Sequence, residues 1–419
     1  MMNKGIYKLK RVLALVLAGL ILFVAAVGCG REEPSVAEID FNDFDAVLEA
    51  ARGTTVTFFG WGGSAATNGW LDNVVAPSLY EQYGVTLSRV PMDIDGILSK
   101  LMGEKQAGVT TGDIDVVWIN GENFYTAKTG DLLFGPITHY VPNFATYLNP
   151  DDADLHYDFG TPIEGMQVPY GRAQLVFMAD SAVLDSFPTN AQELLELARA
   201  NPGRITYSAP PDFTGSAFVR NILYEIVGFE AIFNAPRDEQ AIYEIIRPGL
   251  DFLIELKPYL WQEGMTYPVD APALEQMFID GLVLMNISYS PLHVAQNILS
   301  GEYPDTVQTF VFESGNIGNT HYMAIPYNAP NKAGAIALIN HIISPEMQIT
   351  KYDAANWGDL PVFDVNRLSP EQRALLDAVD NGIGILSPEE LFAHRLPELQ
   401  AYKIPIIERL WVEHVLHAR

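Results

Sequence analysis

Cysteine is almost absent: Cys29 is the only one in 419 residues. No disulfide can form within the chain, and a thiol catalyst would have to be this residue. A large secreted protein with a good core does without such bridges. Positive charge is scarce as well. Lys and Arg number 25 against 52 Asp and Glu, a formal charge of −27. Nucleic-acid phosphates demand clustered Lys and Arg, so this balance argues against such a partner. It suits a cationic ligand, and it equally suits a soluble surface that repels itself. The 8 histidines are scattered, and His414 and His417 lack the HExxH pattern of a zinc helix. No GxSxG elbow, no phosphate-binding P-loop and no adjacent tyrosine pair of the ferric-ion type occurs. Paired acids such as Asp151-Asp152 and Asp93/Asp95 are abundant, which says little in so acidic a chain. The two carboxylates of a glycosidase are distant in sequence, so spacing leaves that class open. No catalytic group, cofactor or metal ligand is assigned.

Long apolar runs are limited to one. Lys4, Lys8, Lys10 and Arg11 precede an uncharged stretch, Val12–Val27, that closes on Ala26-Val27-Gly28-Cys29. A cationic start, an apolar middle and small residues at the cut describe a secretory signal over residues 1–28. Cys29 directly after Gly28 reads as a lipobox, in which the thiol is acylated and becomes the first mature residue; Ala26 is a weaker choice there than the usual Leu. The alternative is an uncleaved anchor helix, but the run is shorter than the roughly 20 residues a span needs. Cleavage of 28 from the 419 residues would leave 391 and remove four cations and no anion, for a mature charge of −31. Residues 29–37 are then a polar tether between lipid and protein. The remaining length suggests two domains or three. No later run is long and apolar enough to cross a membrane.

The rest of the chain alternates in period. Helical spacing at Phe44–Ala51 precedes a β-branched and aromatic run, Thr54–Phe59. Helix Trp70–Gln82, strand Val85–Val90, helix Ile97–Ala107 and a buried strand Ile114–Ile119 follow. Such strand–helix–strand spacing implies parallel βαβ units. Leu132–Glu164, rich in Pro, Asn and Asp, reads as a long surface excursion, and Gln174–Met178 as another strand. A second alternation runs through helix Ala191–Ala200, strand Arg204–Tyr207, helix Ser216–Val227, helix Ala241–Leu256 broken at Pro248, helix Ala273–Asp280 and strand Leu282–Ser288. Strand His321–Ile325 and helices Lys332–Ile343 and Pro345–Ala355 form a third, and the part after Pro370 is helical. A second α/β block inserted into the first needs two chain crossings, for which Val168–Ala179 and Thr320–Pro326 are short extended candidates. The expectation is an α/β protein with a discontinuous lobe I, 38–172 and 321–419, around a lobe II, 173–320, each a mostly parallel sheet flanked by helices.

In open parallel sheets ligands sit beyond the carboxyl ends of the strands, so the segments after each strand are the candidates. Trp61-Gly62-Gly63-Ser64 offers a flat ring, close backbone approach and a hydroxyl, or is an ordinary turn into a helix. Asn120, Glu122 and Asn123 follow a buried strand, as ligand contacts or as helix caps. Tyr170 stacks on a ring or cation and Arg172 on a carboxylate or phosphate, or they are hinge packing and a solvated charge. Asp212, Thr214, Gly215 and Ser216 open a helix, as an anion site or as a cap alone. Tyr289 ends a strand and is either ligand contact or core. Trp357 closes a cleft and Asp359 faces a cation, or the indole packs between helices.

Several of these segments resemble a known family. VTFFGWGGSAATNGWLD (56–72), GEKQAG (103–108), IDVVWINGENF (114–124), LLFGP (132–136), PYGRAQLVF (169–177) and NPGRITYSAPPDFTGSAFVR (201–220) are similar to the YnjB-type ABC-transporter solute-binding lipoproteins. FIDGLVLMNISYS (278–290) and THYMAIPYNAPNKAGAIALINHIISPEMQ (320–348) resemble extracellular solute-binding proteins more broadly. Relatives more often carry Trp where this chain has Tyr170. The resemblance implies a type II periplasmic-binding fold, two lobes on hinge strands with the ligand between them. It implies a small-molecule ligand, an ABC permease and a cytoplasmic ATPase as partners, a monomer held at the cell membrane through Cys29, and no enzymatic step. Related clusters bind thiamine, polyamines, ferric ion and oxyanions. Trp61, Tyr170, Glu122 and Asp212 within an acidic chain favour a small cationic or zwitterionic organic solute. A carbohydrate-active surface hydrolase and a sensor-linked binding protein are the alternatives.

Overall fold

The computed structural model describes residues 39–418, so the signal sequence, Cys29 and the tether lie outside the described residues. Two main sheets organise the chain. In the first, β1 (Thr55–Gly60) lies between β2 (Thr86–Pro91) and β3 (Val116–Ile119), all parallel. Phe58 is paired with Arg89 on one side and with Val116 on the other. A short β4 (Leu133–Phe134) and a small hairpin of β5 (Tyr157–Asp158) and β6 (Thr161–Pro162) lead to β7 (Gln167–Gln174). After Leu175 the chain enters the second sheet as β8 (Val176–Asp180), which pairs antiparallel with β9 (Met285–Ser288) and β10 (Val307–Phe310). It returns through Val311–Gly315 to the long β11 (Asn316–Pro326), antiparallel to β3, β4 and β7, and ends its strands with β12 (Arg395–Leu396) beside β11.

Both sheets are therefore mixed or antiparallel outside the β2-β1-β3 trio. The βαβ spacing forces parallel pairing only there. In β1, Val56, Phe58 and Phe59 are buried, and β7 is buried along nearly its whole length, as expected of strands covered on both faces. Phe59, Val117 and Ile119 pack against Ile97, Leu98 and Leu101 of the Ile94–Gln106 helix and against Phe124. Helix Lys332–Ile342, with ten buried residues, packs on β1 and on the Phe44–Ala51 helix. The second core joins Phe177 and Ala179 to Phe218, Ile222, Ile246 and Leu250.

Helix starts follow capping chemistry. Ser64, Asn190, Asp212, Asp238, Asp270, Asn331 and Ser344 each accept a backbone N–H at the head of a helix. Two of these caps move starts ahead of the apolar pattern: the helix expected at Trp70 begins at Ala65, and the one expected at Ser216 begins at Phe213. Helix Glu239–Leu256 runs through Pro248 without a break. Pro248 is exposed, so the carbonyl that lost its partner faces water. Arg204–Tyr207 forms no strand, although Ile205 accepts from Trp261 N–H (2.8 Å). The 132–164 segment is no simple surface excursion, because Leu132, Ile137, Val141, Leu148 and Phe159 are buried. The tail is α-helical only at Pro370–Asp377, Pro388–Ala393 and Ile404–Trp411, with a 3-10 turn at Ala401–Lys403 before the last of these and a π-helical turn after it. Its last helix packs on the Glu239–Leu256 and Phe213–Val227 helices, away from the expected lobe I core. Ile407, Leu410 and Trp411 fill that second core, and Trp411 Nε1 donates to Tyr207 Oη at 3.0 Å.

Candidate functional site

The loops expected to hold a ligand fall into two neighbourhoods. The first is a wall of rings. Trp61, 47 % exposed, meets Trp118 edge to face with centroids 6.5 Å apart. Trp118 in turn meets His321 (4.9 Å), Tyr170 (5.8 Å) and Trp357 (6.1 Å). Trp357 stacks on His321 and touches Trp70 at 5.4 Å. Such contacts hold rings rigid at little further entropy cost. Trp61, Trp118 and His321 retain solvent contact, whereas Tyr170 is fully enclosed and Trp357 is buried. Gly62 accepts from Asn68 Nδ2 (2.8 Å), and Gly63 lies directly under the Trp61 ring, where a side chain would collide with it. Ser64 caps its helix and also accepts from Thr67 Oγ1 (3.0 Å).

Under the wall, Asp359 is buried and bound to Lys351, with His321 Nε2 at 3.5 Å. A Cβ on Gly171 would come within 2.1 Å of Asp359 Oδ2, so only glycine fits that step of β7. Arg172 is bonded to Asp152 and stands over the Phe392 ring, so its charge is already matched.

The second neighbourhood is polar. Asn120 sends Nδ2 to the Thr320 carbonyl (3.4 Å) and does not cap its helix; Asn123 is partly buried on the same turn. Gly121 N–H donates to both oxygens of the buried Asp158 (2.9 and 3.0 Å). Burial pushes the Asp158 carboxyl up to about 7 against the pull of Gln167 and Gly121. Asp212 accepts from Gly215 N–H (2.8 Å) and Ser208 Oγ (2.6 Å), which sets the head of the Phe213–Val227 helix. Thr214, Gly215 and Ser216 are all buried there. Ser216 Oγ donates to Glu408 Oε1 (2.6 Å) and accepts from Arg220 Nη1 (2.6 Å). Arg220 Nη2 and Tyr289 Oη both donate to Glu398 Oε1, each at 3.0 Å. Glu122 completes the group from the other sheet. Burial raises its carboxyl to about 7, with Arg220 pulling it down and Glu408 and Glu398 pushing it up. Three atoms of this cluster are buried without a partner: Glu122 Oε2, Glu398 Oε2 and Arg220 Nε.

Trp118, His321, Arg220, Glu398 and Glu408 were not among the expected residues. Arg220 had a signal, since it is the single cation in the apolar run from Phe213 to Tyr224. Glu398 had none, because RLPELQ has no period. A separate cavity of about 300 Å³ lies among Ser78, Tyr83, Asn143, Tyr147, His341 and Glu346 and includes no expected residue. Among the described residues no group of three or more His, Cys, Asp or Glu is placed to hold a metal ion, and no helix is long and apolar enough to cross a membrane.

Comparison with known proteins identifies the family and the fold. The family model described as bacterial extracellular solute-binding protein matches residues 76–374. Protein YnjB of Escherichia coli (strain K12) is 35 % identical over 339 residues, covering 80 % of this chain and 87 % of that one. Among solved structures, the periplasmic binding protein AfuA from Actinobacillus pleuropneumoniae, with fructose-6-phosphate bound, has a TM-score of 0.61 at 13 % identity and covers 87 % of this chain and 99 % of its own. A putative spermidine/putrescine ABC transporter from Listeria monocytogenes (TM-score 0.58, 14 % identity, 87 % and 99 % covered) and a periplasmic thiamin binding protein (0.58, 17 %, 87 % and 96 %) share the same type II fold. The chain belongs to the bacterial extracellular solute-binding protein family, whose members are the solute-binding proteins of ABC importers.

Proposed function

We propose that this protein captures a small cationic or zwitterionic organic solute between two lobes and hands it, chemically unchanged, to a membrane permease driven by a cytoplasmic ATPase. The observation that carries the reading is the hydrogen-bonded network of Ser216, Arg220, Tyr289, Glu398 and Glu408 on the second core, with the buried Glu122 carboxyl beside it at the head of the helix after β3. The expected loops Trp61–Ser64 and Asn120–Asn123 come from the first sheet, and Asp212–Ser216 and Tyr289 from the second. Lobe I takes residues 39–174 and 316–396, and lobe II takes 176–310 and the tail from 397. These limits follow the strand crossings at Leu175 and Val311–Gly315 and the packing of the last helix. The hinge then turns about those crossings and not about Thr320–Pro326, which lies within β11. Cys29 carries the lipid, and the monomer works on the outer side of the cell membrane.

The solved relatives named for thiamin and for spermidine/putrescine make organic cations the first solutes to try. The fructose-6-phosphate held by AfuA is an anion, and the one cation of this cluster, Arg220, already pairs with Glu398. Calorimetry of unfolded-and-refolded protein against thiamine, polyamines, amino acids and sugar phosphates tests the reading, with small-angle scattering as the monitor of closure. Saturable binding, compaction on binding and recovery of intact solute are expected. Tight binding of an anion alone, or product formation from the bound solute, would overturn it.

A further inference from the structure

We infer that the pit between Glu122 and Glu398 seats a protonated nitrogen of a net-cationic solute, and that a zwitterion or an anion is rejected there. The inference rests on the cleft reading above and narrows it. Three carboxylates, Glu122, Glu398 and Glu408, share one guanidinium. Arg220 engages each terminal nitrogen once, Nη1 with Ser216 and Nη2 with Glu398, and its Nε has no partner. Glu398 is 8 % exposed and Arg220 is 1 % exposed, so bulk solvent does not reach their unpartnered atoms. Buried polar atoms left without partners are rare in folded proteins and mark a place where something else belongs.

The unmet demand has a definite sign. Two of the three unpartnered atoms are carboxylate oxygens, which accept only once ionised, and an ammonium brings three donors and no acceptor. The remaining atom, Arg220 Nε, is a donor and asks for one neutral acceptor such as a hydroxyl, an ether or a ring nitrogen. A carboxylate or phosphate on the solute would instead meet three acids beside a single guanidinium whose charge is already paired with Glu398. In a site of low dielectric that repulsion is strong.

The same geometry links binding to a proton. The charges facing Glu122 are Arg220, Glu408 and Glu398, and Asp158 lies behind it. With its carboxyl near 7, Glu122 is partly protonated in neutral solution. An arriving ammonium favours the carboxylate, so the proton passes to water as the solute docks.

Three probes of one chain length decide the matter: putrescine, γ-aminobutyrate and succinate, titrated beside spermidine and thiamine by calorimetry in buffers of different ionisation heat. At least one of the cations is expected to bind and to release a fraction of a proton at pH 7. The zwitterion and the diacid are expected to bind about 100-fold more weakly or not at all. Glu398→Gln and Glu122→Gln are each expected to weaken the cation about tenfold or more, with Glu122→Gln also abolishing proton release. Glu122 is the more exposed of the two, so its variant serves if Glu398→Gln does not fold. Preference for γ-aminobutyrate or succinate, failure of all three cations, or normal cation binding by both variants would overturn the inference and leave the pit as a structural clasp. Solute recovered from purified protein by mass spectrometry separates the two readings. An anion found there ends this inference and keeps solute capture, whereas no solute together with no compaction by any probe ends both.

Discussion

Lys351 and Asp359 form an ion pair shut off from solvent, with Nζ 2.7 Å from Oδ2 and side chains 0 % and 3 % exposed. The same ammonium donates to the carbonyls of Tyr170 (2.7 Å) and Leu360 (2.8 Å), so all three of its protons are used. Burial lowers the lysine to about 8 even with Asp359 beside it. Burial works upward on Asp359, but Lys351 and then His321 outweigh it, and the carboxyl stays below its ordinary value. The pair ties β7, the last turn of the Pro345–Tyr352 helix and the loop after Trp357 into one floor under the aromatic wall.

Removing one member strands the other. Lys351→Met is expected to cost about 3–5 kcal/mol of folding stability, because an unpaired carboxylate remains in the interior. The double variant Lys351→Met, Asp359→Leu is expected to recover most of that loss. Urea unfolding followed by circular dichroism measures both, and equal losses in the single and double variants would contradict the account.

His341 gives a pH dependence of known sign. It is 2 % exposed, and both ring nitrogens lack a partner. Burial lowers it from 6.5 to about 4, with Glu346 pulling the other way. A folded-state value below the unfolded one means the unfolded chain takes up the proton first as pH falls. Stability from this group is therefore complete above pH 6.5 and is lost between there and pH 4, up to about 3 kcal/mol. Comparing His341→Gln with the parent at pH 7 and pH 4.5 should show a smaller loss in the variant.

Asp158 slopes the opposite way. Its folded value of about 7 lies above the ordinary 3.8, so its favourable contribution is present below pH 3.8 and fades as pH rises through 7. Asp158→Asn keeps an acceptor for Gly121 N–H without the charge. The variant is expected to gain on the parent as pH climbs from 4 to 8. A constant difference across that range would show that the carboxyl does not titrate there.

Gly215 has no room for a side chain. A Cβ would lie 1.9 Å from the Ser208 carbonyl oxygen, a backbone atom that cannot swing aside. Gly215→Ala is expected to push the helix head off its seat, to cost at least about 2 kcal/mol and to weaken solute binding with it. Thermal unfolding and calorimetry on the same sample report the two effects. A variant as stable as the parent would mean that the close approach is slack.

Trp61 is the converse case. Nearly half exposed and held by an edge contact, it contributes little to folding. Trp61→Ala is expected to shift stability by less than about 1 kcal/mol while weakening binding about tenfold. Normal binding with lowered stability would assign the ring to packing alone.

Much of this was legible in the sequence, for identifiable reasons. β1, β2 and β3 announced themselves because short β-branched runs between glycines have few other uses. The turns at Trp61–Ser64, Asn120–Asn123 and Asp212–Ser216 stood out because polar and glycine residues interrupt apolar runs there. β10 was missed although Gly301 and Pro304-Asp305 mark a turn before it, since Val307–Phe310 is only four residues long and Gln308 and Thr309 interrupt its apolar pattern. The Pro248 break was expected from local chemistry and did not occur, because its helix face is exposed. Glu398 and Glu408 were invisible because their role comes from tertiary placement roughly 180 residues from Arg220 in sequence.

The closing stretch of chain carries a double duty. Arg395 and Leu396 extend the first sheet, Glu398 and Glu408 reach Arg220 and Ser216, and Trp411 plugs the second core. On the proposed reading of the site, loss of residues 395–418 would thus strip away solute selectivity and the keystone of one half together. Evolution cannot retune the first without risking the second, so a change of diet in this lineage should show up as paired substitutions in the tail and in the helix it covers.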